Sequence, residues 1–367
     1  MTVEASNSRW RALPVWSIAF PLLGLAAVLL PLKSLGIAGT LAAIVILIGS
    51  VIAAVHHAEV VAHRVGEPFG TLVLAVAVTV IEVSLIVSLM LTGGADAASL
   101  ARDTVFAAIM LILNGIVGLC LLAGGLRHHE QRFTLRGVSA ALCVLAAMAV
   151  LSLVLPNYNT SSAPAATYAP SQLMFVAVVS LILYGTFVTV QTVRHRDYFL
   201  PDDETPSHDT HADPPDAATA WIAFGVLLVA LVSVVLLAKT LAPTVEGAVV
   251  AAGLPLTVVG IVIAGLVLAP ESLAAFRAAR RNRIQTSLNL ALGSALATIG
   301  LTIPTVSVVS LALGVPLSLG LDPKGLTLLF LSLFVATITL GTGRTTVLHG
   351  IVHLVILAAY LFVTIVP

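Results

Sequence analysis

The chain has 367 residues, 59% of them hydrophobic and only 9% charged, with seventeen basic and seventeen acidic side chains that leave zero net charge. Soluble domains carry about 25% charged residues, so this composition cannot clothe a water-exposed surface of that size, and the lack of a basic excess argues against nucleic acid as a partner. Apolar runs of about 20 residues, the length that crosses a hydrocarbon layer, recur from end to end. The expected class is therefore an all-α polytopic membrane protein. Cys120 and Cys143 both fall inside apolar runs and suggest no disulfide framework.

The first run, near 14–31, follows Arg9 and Arg11 and could mimic a secretory signal. Pro31, Leu32 and Lys33 stand where a small-residue cleavage site would be, so it is read as an uncleaved first helix. Further spans are expected at 37–55, 70–91, 104–125, 137–155, 172–193, 219–241, 248–276, 285–317, 325–341 and 346–366. That makes eleven. The ninth is long for one straight span and contains Pro304, so it is either one kinked helix or two short ones, which keeps twelve open.

Cytoplasmic loops carry the excess of Lys and Arg. With the N-terminus inside, Arg9, Arg11, Arg64, Arg127, Arg132, Arg136, Arg194, Arg196, Arg277, Arg280, Arg281, Arg283 and Arg344 are cytoplasmic. Only Lys33, Arg102, Lys239 and Lys324 lie outside, so this orientation is expected. The arginines at 277–283 are expected to anchor helix ends to lipid phosphate.

Residues 194–218 form the one long hydrophilic interruption. It holds Asp197, Asp202, Asp203, Glu204, Asp209, Asp213 and Asp216, with His195, His208, His211 and several prolines. High negative charge and low hydrophobicity predict a disordered cytoplasmic linker. The expected organisation is a tail and first helix over 1–35, five helices over 36–193, the linker, and five helices over 219–367. An odd number of spans per copy inverts one copy relative to the other, the inverted repeat of many secondary transporters.

In each half the second span carries one acidic residue followed by a hydroxyl: Glu82 with Ser84, and Glu271 with Ser272. A carboxylate in a span costs about 2.5–3.5 kcal/mol on insertion scales, so both are functional candidates, against the alternative of a protonated core residue or an interfacial helix end. Pro270 precedes Glu271 and predicts a broken helix with freed carbonyls. Asn114 beside Gly115 and Gly118, and Asn289, Ser294 and Thr298 with Gly293 and Gly300, offer hard oxygen ligands for Ca²⁺ or Na⁺, or plain interhelical hydrogen bonds. His349 and His353 share one face of the last span and could relay protons or simply pack. His56, His57, Glu59 and His63 suggest a metal-dependent intramembrane enzyme as an alternative, although their spacing fits no zinc-protease pattern. No phosphate-binding loop, dinucleotide fingerprint or nucleophile elbow appears, which argues against an ATP-driven pump.

Residues 253–304, GLPLTVVGIVIAGLVLAPESLAAFRAARRNRIQTSLNLALGSALATIGLTIP, together with GEPFGTLVLAVAVTVIEVSLI at 66–86, resemble the cation/proton exchangers of the calcium/cation antiporter superfamily, of the bacterial ChaA type. The resemblance implies a bacterial inner-membrane antiporter that needs no cofactor. It implies exchange of Ca²⁺, with Na⁺ or K⁺ as further cations, for protons by alternating access; the alternative is a Na⁺ or K⁺ antiporter with little use of Ca²⁺. It places Glu82 and Glu271 at the transported-cation and proton-coupling site, with Ser294 as the serine of a Leu-Gly-Ser motif. Where the wider family reads Gly-Asn-Ala-x-Glu, this chain has Val78, Thr79, Val80 and Ile81 before Glu82, and Val267, Leu268, Ala269 and Pro270 before Glu271. Both asparagine ligands are therefore missing. The implied partners are membrane lipid, the transported cations and protons, with a homo-oligomer left open.

Overall fold

A computed structural model describes residues 13–30, 36–66, 69–92, 98–159, 166–199 and 215–366. The tail arginines Arg9 and Arg11, Lys33, and the linker residues Asp202, Asp203, Glu204, His208, Asp209, His211 and Asp213 lie outside them. Eleven helices run through the described residues: α1 Val15–Leu29, α2 Gly36–Val65, α3 Phe69–Thr92, α4 Leu100–His128, α5 Leu135–Tyr158, α6 Pro170–Arg194, α7 Ala217–Ala251, α8 Thr257–Arg280, α9 Ile284–Leu313, α10 Pro323–Leu340 and α11 Val347–Ile365. Ten are long and apolar enough to cross a membrane, and α1 is shorter. Among the described residues, the one departure from all-α is a two-residue antiparallel pair, β1 Gln131–Arg132 with β2 Arg344–Thr345.

The ninth predicted span is a single helix. A π-turn at Thr298–Thr302 lies just before Pro304. The wider turn accommodates a ring that has no N–H to donate, so the chain continues instead of splitting. Pro270 likewise sits inside the uninterrupted α8, so the broken helix predicted there is not formed. Two predicted boundaries also move. α2 runs on through His56–His63, and α7 passes Pro243 to Ala251. Local signals bound other helices. Asp322 caps α10 by accepting from Gly325 N at 2.8 Å with Pro323 at the first helical position, and Gly314 closes α9 at φ 66°.

The linker begins later than predicted. Arg196–Tyr198 forms a 3₁₀ turn, Phe199 is 7% exposed, and its ring meets Phe187 edge-on at 5.8 Å. An aromatic pair of that kind can order a polar segment that composition alone marks as loose.

The contacts divide the chain into two compact units, and each draws on both sequence halves. The first holds α1, α2, α3 and most of α7. In it Ser50 donates to the Phe20 carbonyl at 3.1 Å, and His57 Nε2 lies 3.1 Å from the Ser17 carbonyl. Gly24 of α1 lets Ser233 of α7 approach so closely that any Cβ would collide with its hydroxyl.

The second unit holds α4–α6 and α8–α11 around α4. In α4, 83% of the apolar stretch is buried, against 33% in α6, so α4 is its axis. Small residues let α11 cross it closely. A Cβ at Gly118 would lie 3.0 Å from His353 Cβ, and one at Gly350 would lie 2.8 Å from the Gly118 carbonyl oxygen. Gly350→Val is therefore expected to destabilise the unit by about 1–3 kcal/mol. In detergent its thermal unfolding should fall well below wild type, while Gly185→Ala, with nothing within 4 Å of the added methyl, should unfold unchanged.

Candidate functional site

Glu271 lies midway along α8, half-buried, and Ser294 lies on the neighbouring α9. The Ser294 hydroxyl donates a hydrogen bond to Glu271 Oε2. Thus the two residues that the second motif places 23 apart in sequence meet in space. Hydrogen bonds to a charged group are among the stronger ones, about 1.5–3 kcal/mol. Tyr184 of α6 lies within electrostatic range of the same carboxyl. Gly300 makes room for it, since a Cβ there would lie 2.6 Å from Tyr184 Cβ. Sequence reasoning missed Tyr184; a lone aromatic in an apolar run carries no local signal.

The other predicted ligands divide. Ser272 donates its proton to the Leu268 carbonyl of its own helix at 2.6 Å, leaving only lone pairs for another group. Thr298, 4% exposed, follows Ser294 by one turn and shares its face of α9. Asn289 is engaged elsewhere. Its Nδ2 donates to the Phe199 carbonyl at 2.6 Å and its Oδ1 accepts from Gln285 at 3.0 Å, so its amide docks the start of the linker.

In the first unit Glu82 is 2% exposed on α3. Ser84, two residues on, is turned about 200° away around the helix and does not share its face. Thr79, 6% exposed, stands three residues before Glu82 on the same face. Sequence order alone does not single it out, because residues that share a helix face stand three or four apart.

Asn114 and His353 come together. A π-turn at Leu111–Ile116 carries Asn114, which is fully buried. Its Nδ2 donates to Ser332 Oγ of α10 at 2.8 Å, and His353 Nδ1 of α11 lies 3.1 Å from its Oδ1. Because that oxygen can only accept, Nδ1 is the donor. On its other side His353 Nε2 lies 2.9 Å from Thr339 Oγ1. A chain of four buried side chains therefore ties α4 to α10 and α11. His349 is half-buried on the same helix, outside this chain. Both the nitrogen and the oxygen of the Asn114 amide are engaged by protein. Of the histidine-rich stretch, His57 is buried against α1 while His56 meets the Trp16 ring at 5.5 Å, and His63 is exposed. No three metal-binding side chains cluster among the described residues.

Removing one member of the Asn114–His353 pair leaves a buried polar partner unsatisfied, at a cost of about 1–3 kcal/mol. His353→Leu and Asn114→Leu should each lower thermal stability in detergent, and the double variant should lose less than their sum, with a coupling of about 0.5–3 kcal/mol. Additive losses would show that the two do not act as a unit.

The family of sodium/calcium exchanger proteins matches this chain over residues 35–193 and 222–366. The y4hA protein of Sinorhizobium fredii is 51% identical over 96% of this chain and 97% of its own length. The sodium-potassium/proton antiporter ChaA of Escherichia coli is 37% identical over 94% of both chains. Among solved structures, the Ca²⁺/H⁺ antiporter YfkE superposes with a TM-score of 0.68 at 16% identity, covering 95% of this chain and all of that one. With both of its glutamate-bearing halves inside the matched stretches, the chain belongs to the sodium/calcium exchanger family of membrane transporters.

Proposed function

We propose that this chain is a secondary antiporter that moves a cation out of the cytoplasm in exchange for protons, by alternating access, with Glu82 and Glu271 as the exchanging carboxylates. The observation that carries the reading is the hydrogen bond from Ser294 to Glu271 within two apolar helices. It puts a carboxylate and a hydroxyl oxygen, both hard ligands, side by side between two apolar helices. A carboxylate can be neutralised by a proton or, ionised, can oppose a cation, but not both at once. Each glutamate then holds either a proton or a cation, and that exclusion couples the two fluxes. Two protons for one Ca²⁺ would balance charge. The two stretches matched by one family model support two related halves joined by the acidic linker.

Ca²⁺ is the proposed principal cation, with Na⁺ and K⁺ alongside it. The second reading, Na⁺ or K⁺ exchange with little Ca²⁺, is favoured by the sodium-potassium/proton relative and by the absence of both family asparagines. The proposed orientation follows the arginine-rich ends: N-terminus, linker and the Arg277–Arg283 turn toward the cytoplasm, in the inner membrane of a bacterium.

Everted membrane vesicles test all of this. Ca²⁺, Na⁺ and K⁺ are added in turn, and proton movement is followed by a pH-sensitive dye. Glu82→Gln and Glu271→Gln should each abolish cation-driven proton flux while remaining in the membrane. Normal exchange by either variant removes that glutamate from the mechanism. Ser294→Ala should raise the KM for cation roughly tenfold, the equivalent of about 1.4 kcal/mol, with a smaller change in maximal rate.

A further inference from the structure

At the arginine-rich end of the second unit, a cleft of about 680 Å³ opens between the end of α4 and the end of α8. Arg127 and His128 line it from α4, and Leu273, Phe276, Arg277, Arg280 and Arg281 from α8 and the turn beyond. We propose that this cleft binds the phosphate of an anionic phospholipid, with an acyl chain lying along Leu273 and Phe276.

Helical spacing produces the arrangement. Leu273, Phe276, Arg277 and Arg280 recur at i, i+3, i+4 and i+7, one stripe of α8. The stripe is apolar where it starts, inside the span, and cationic where the helix ends. From Leu273 to Arg280 it runs about 10 Å, seven residues at about 1.5 Å each. That is the depth over which a lipid changes from headgroup to chain. Leu273 is 48% exposed and Arg280 stacks its guanidinium over the Phe276 ring at 5.9 Å. Glu271 is two residues from Leu273, about 200° around the helix, so the stripe faces away from the carboxylate.

Charge favours an anion here, where all four arginine side chains are exposed. Two helix C-termini end at the cleft and contribute about −0.5 each. Against that one negative charge stand four guanidinium groups. No carboxylate lines the cleft, and among the described residues none of the four arginines makes an ion pair. Glu130, the acid of the adjoining loop, is turned to Arg132 at 3.7 Å and Arg344 at 3.4 Å. His128 Nε2 is 3.1 Å from the Arg280 carbonyl, which ties the two walls together. Helix capping alone leaves an excess of about three positive charges. Phosphate, which takes several donors at once, suits that excess. The apolar half of the stripe favours a lipid over a soluble anion as its source.

The full chain, purified into micelles with equal phosphatidylglycerol and phosphatidylcholine, is passed through gel filtration, and retained lipid is quantified by mass spectrometry. Phosphatidylglycerol should be enriched on the wild type. Arg277→Gln and Arg280→Gln should each lower that enrichment about fivefold, the factor expected for one charge at a lipid surface. Arg277→Lys should keep most of it. Arg194→Gln, the same charge change at the end of α6, should leave it intact, and Leu273→Gln should reduce retention of long-chain but not short-chain phosphatidylglycerol. Equal losses in Arg194→Gln and Arg277→Gln would reduce the effect to general surface charge. Displacement by millimolar inorganic phosphate would assign the cleft to a soluble anion. Either result overturns the proposal.

Discussion

Within a hydrocarbon layer no water can satisfy a polar side chain, so one that enters gains from a partner in protein. That constraint organises the second unit of this exchanger. Glu271 receives the Ser294 hydroxyl, Ser272 turns back on its own helix, and Asn114 is held at both ends by Ser332 and His353. None of these contacts joins near neighbours in a loop. Each is made between helices, or along one, by residues that the apolar runs bring to the same depth.

Satisfying polar groups between helices requires that helices come close and turn to the right angle. Two devices recur for this. Glycines thin the surface, as Gly118 and Gly350 do where α11 crosses α4, and as Gly300 does where Tyr184 enters. π-turns rotate the remainder of the helix about its axis, as at Leu111–Ile116 and Thr298–Thr302. These two stand in α4 and α9, the helices that come directly after the two glutamate-bearing helices in the chain, and two more lie in α5 and α6, at Val150–Val154 and Val190–Arg194. Wide turns of this kind are frequent at functional sites; of the first two, one carries Asn114 itself and the other begins at Thr298.

Much of the architecture was legible in the sequence, because a span announces itself by length and apolarity. Eleven helices were expected and eleven are described, with the ninth whole despite Pro304. The glutamates stood out because an ionisable residue in such a run is rare. Side-chain partnerships were less legible. Asn289 looked like a cation ligand and instead holds the Phe199 carbonyl, while Ser84 comes soon after Glu82 in sequence but lies on another face of α3. The start of the linker looked disordered by composition, yet Phe199 packs against Phe187. In each case the deciding contact came from a distant segment, or from the helical turn itself, that local pattern cannot name.

Sequence by itself determined that this chain lives in a membrane, how many times it can cross, where its acidic groups lie, and which family motifs it carries. These properties rest on transfer free energies summed along short windows, which need no knowledge of neighbours. Tertiary structure decided which hydroxyl serves Glu271, that Asn114 belongs to a histidine on the last helix, and that five basic side chains from two helix ends line one cleft. Hydrogen bonds and charge interactions act over a few ångströms between residues up to 239 positions apart, so only the packed helices can choose among the partners that the sequence makes available.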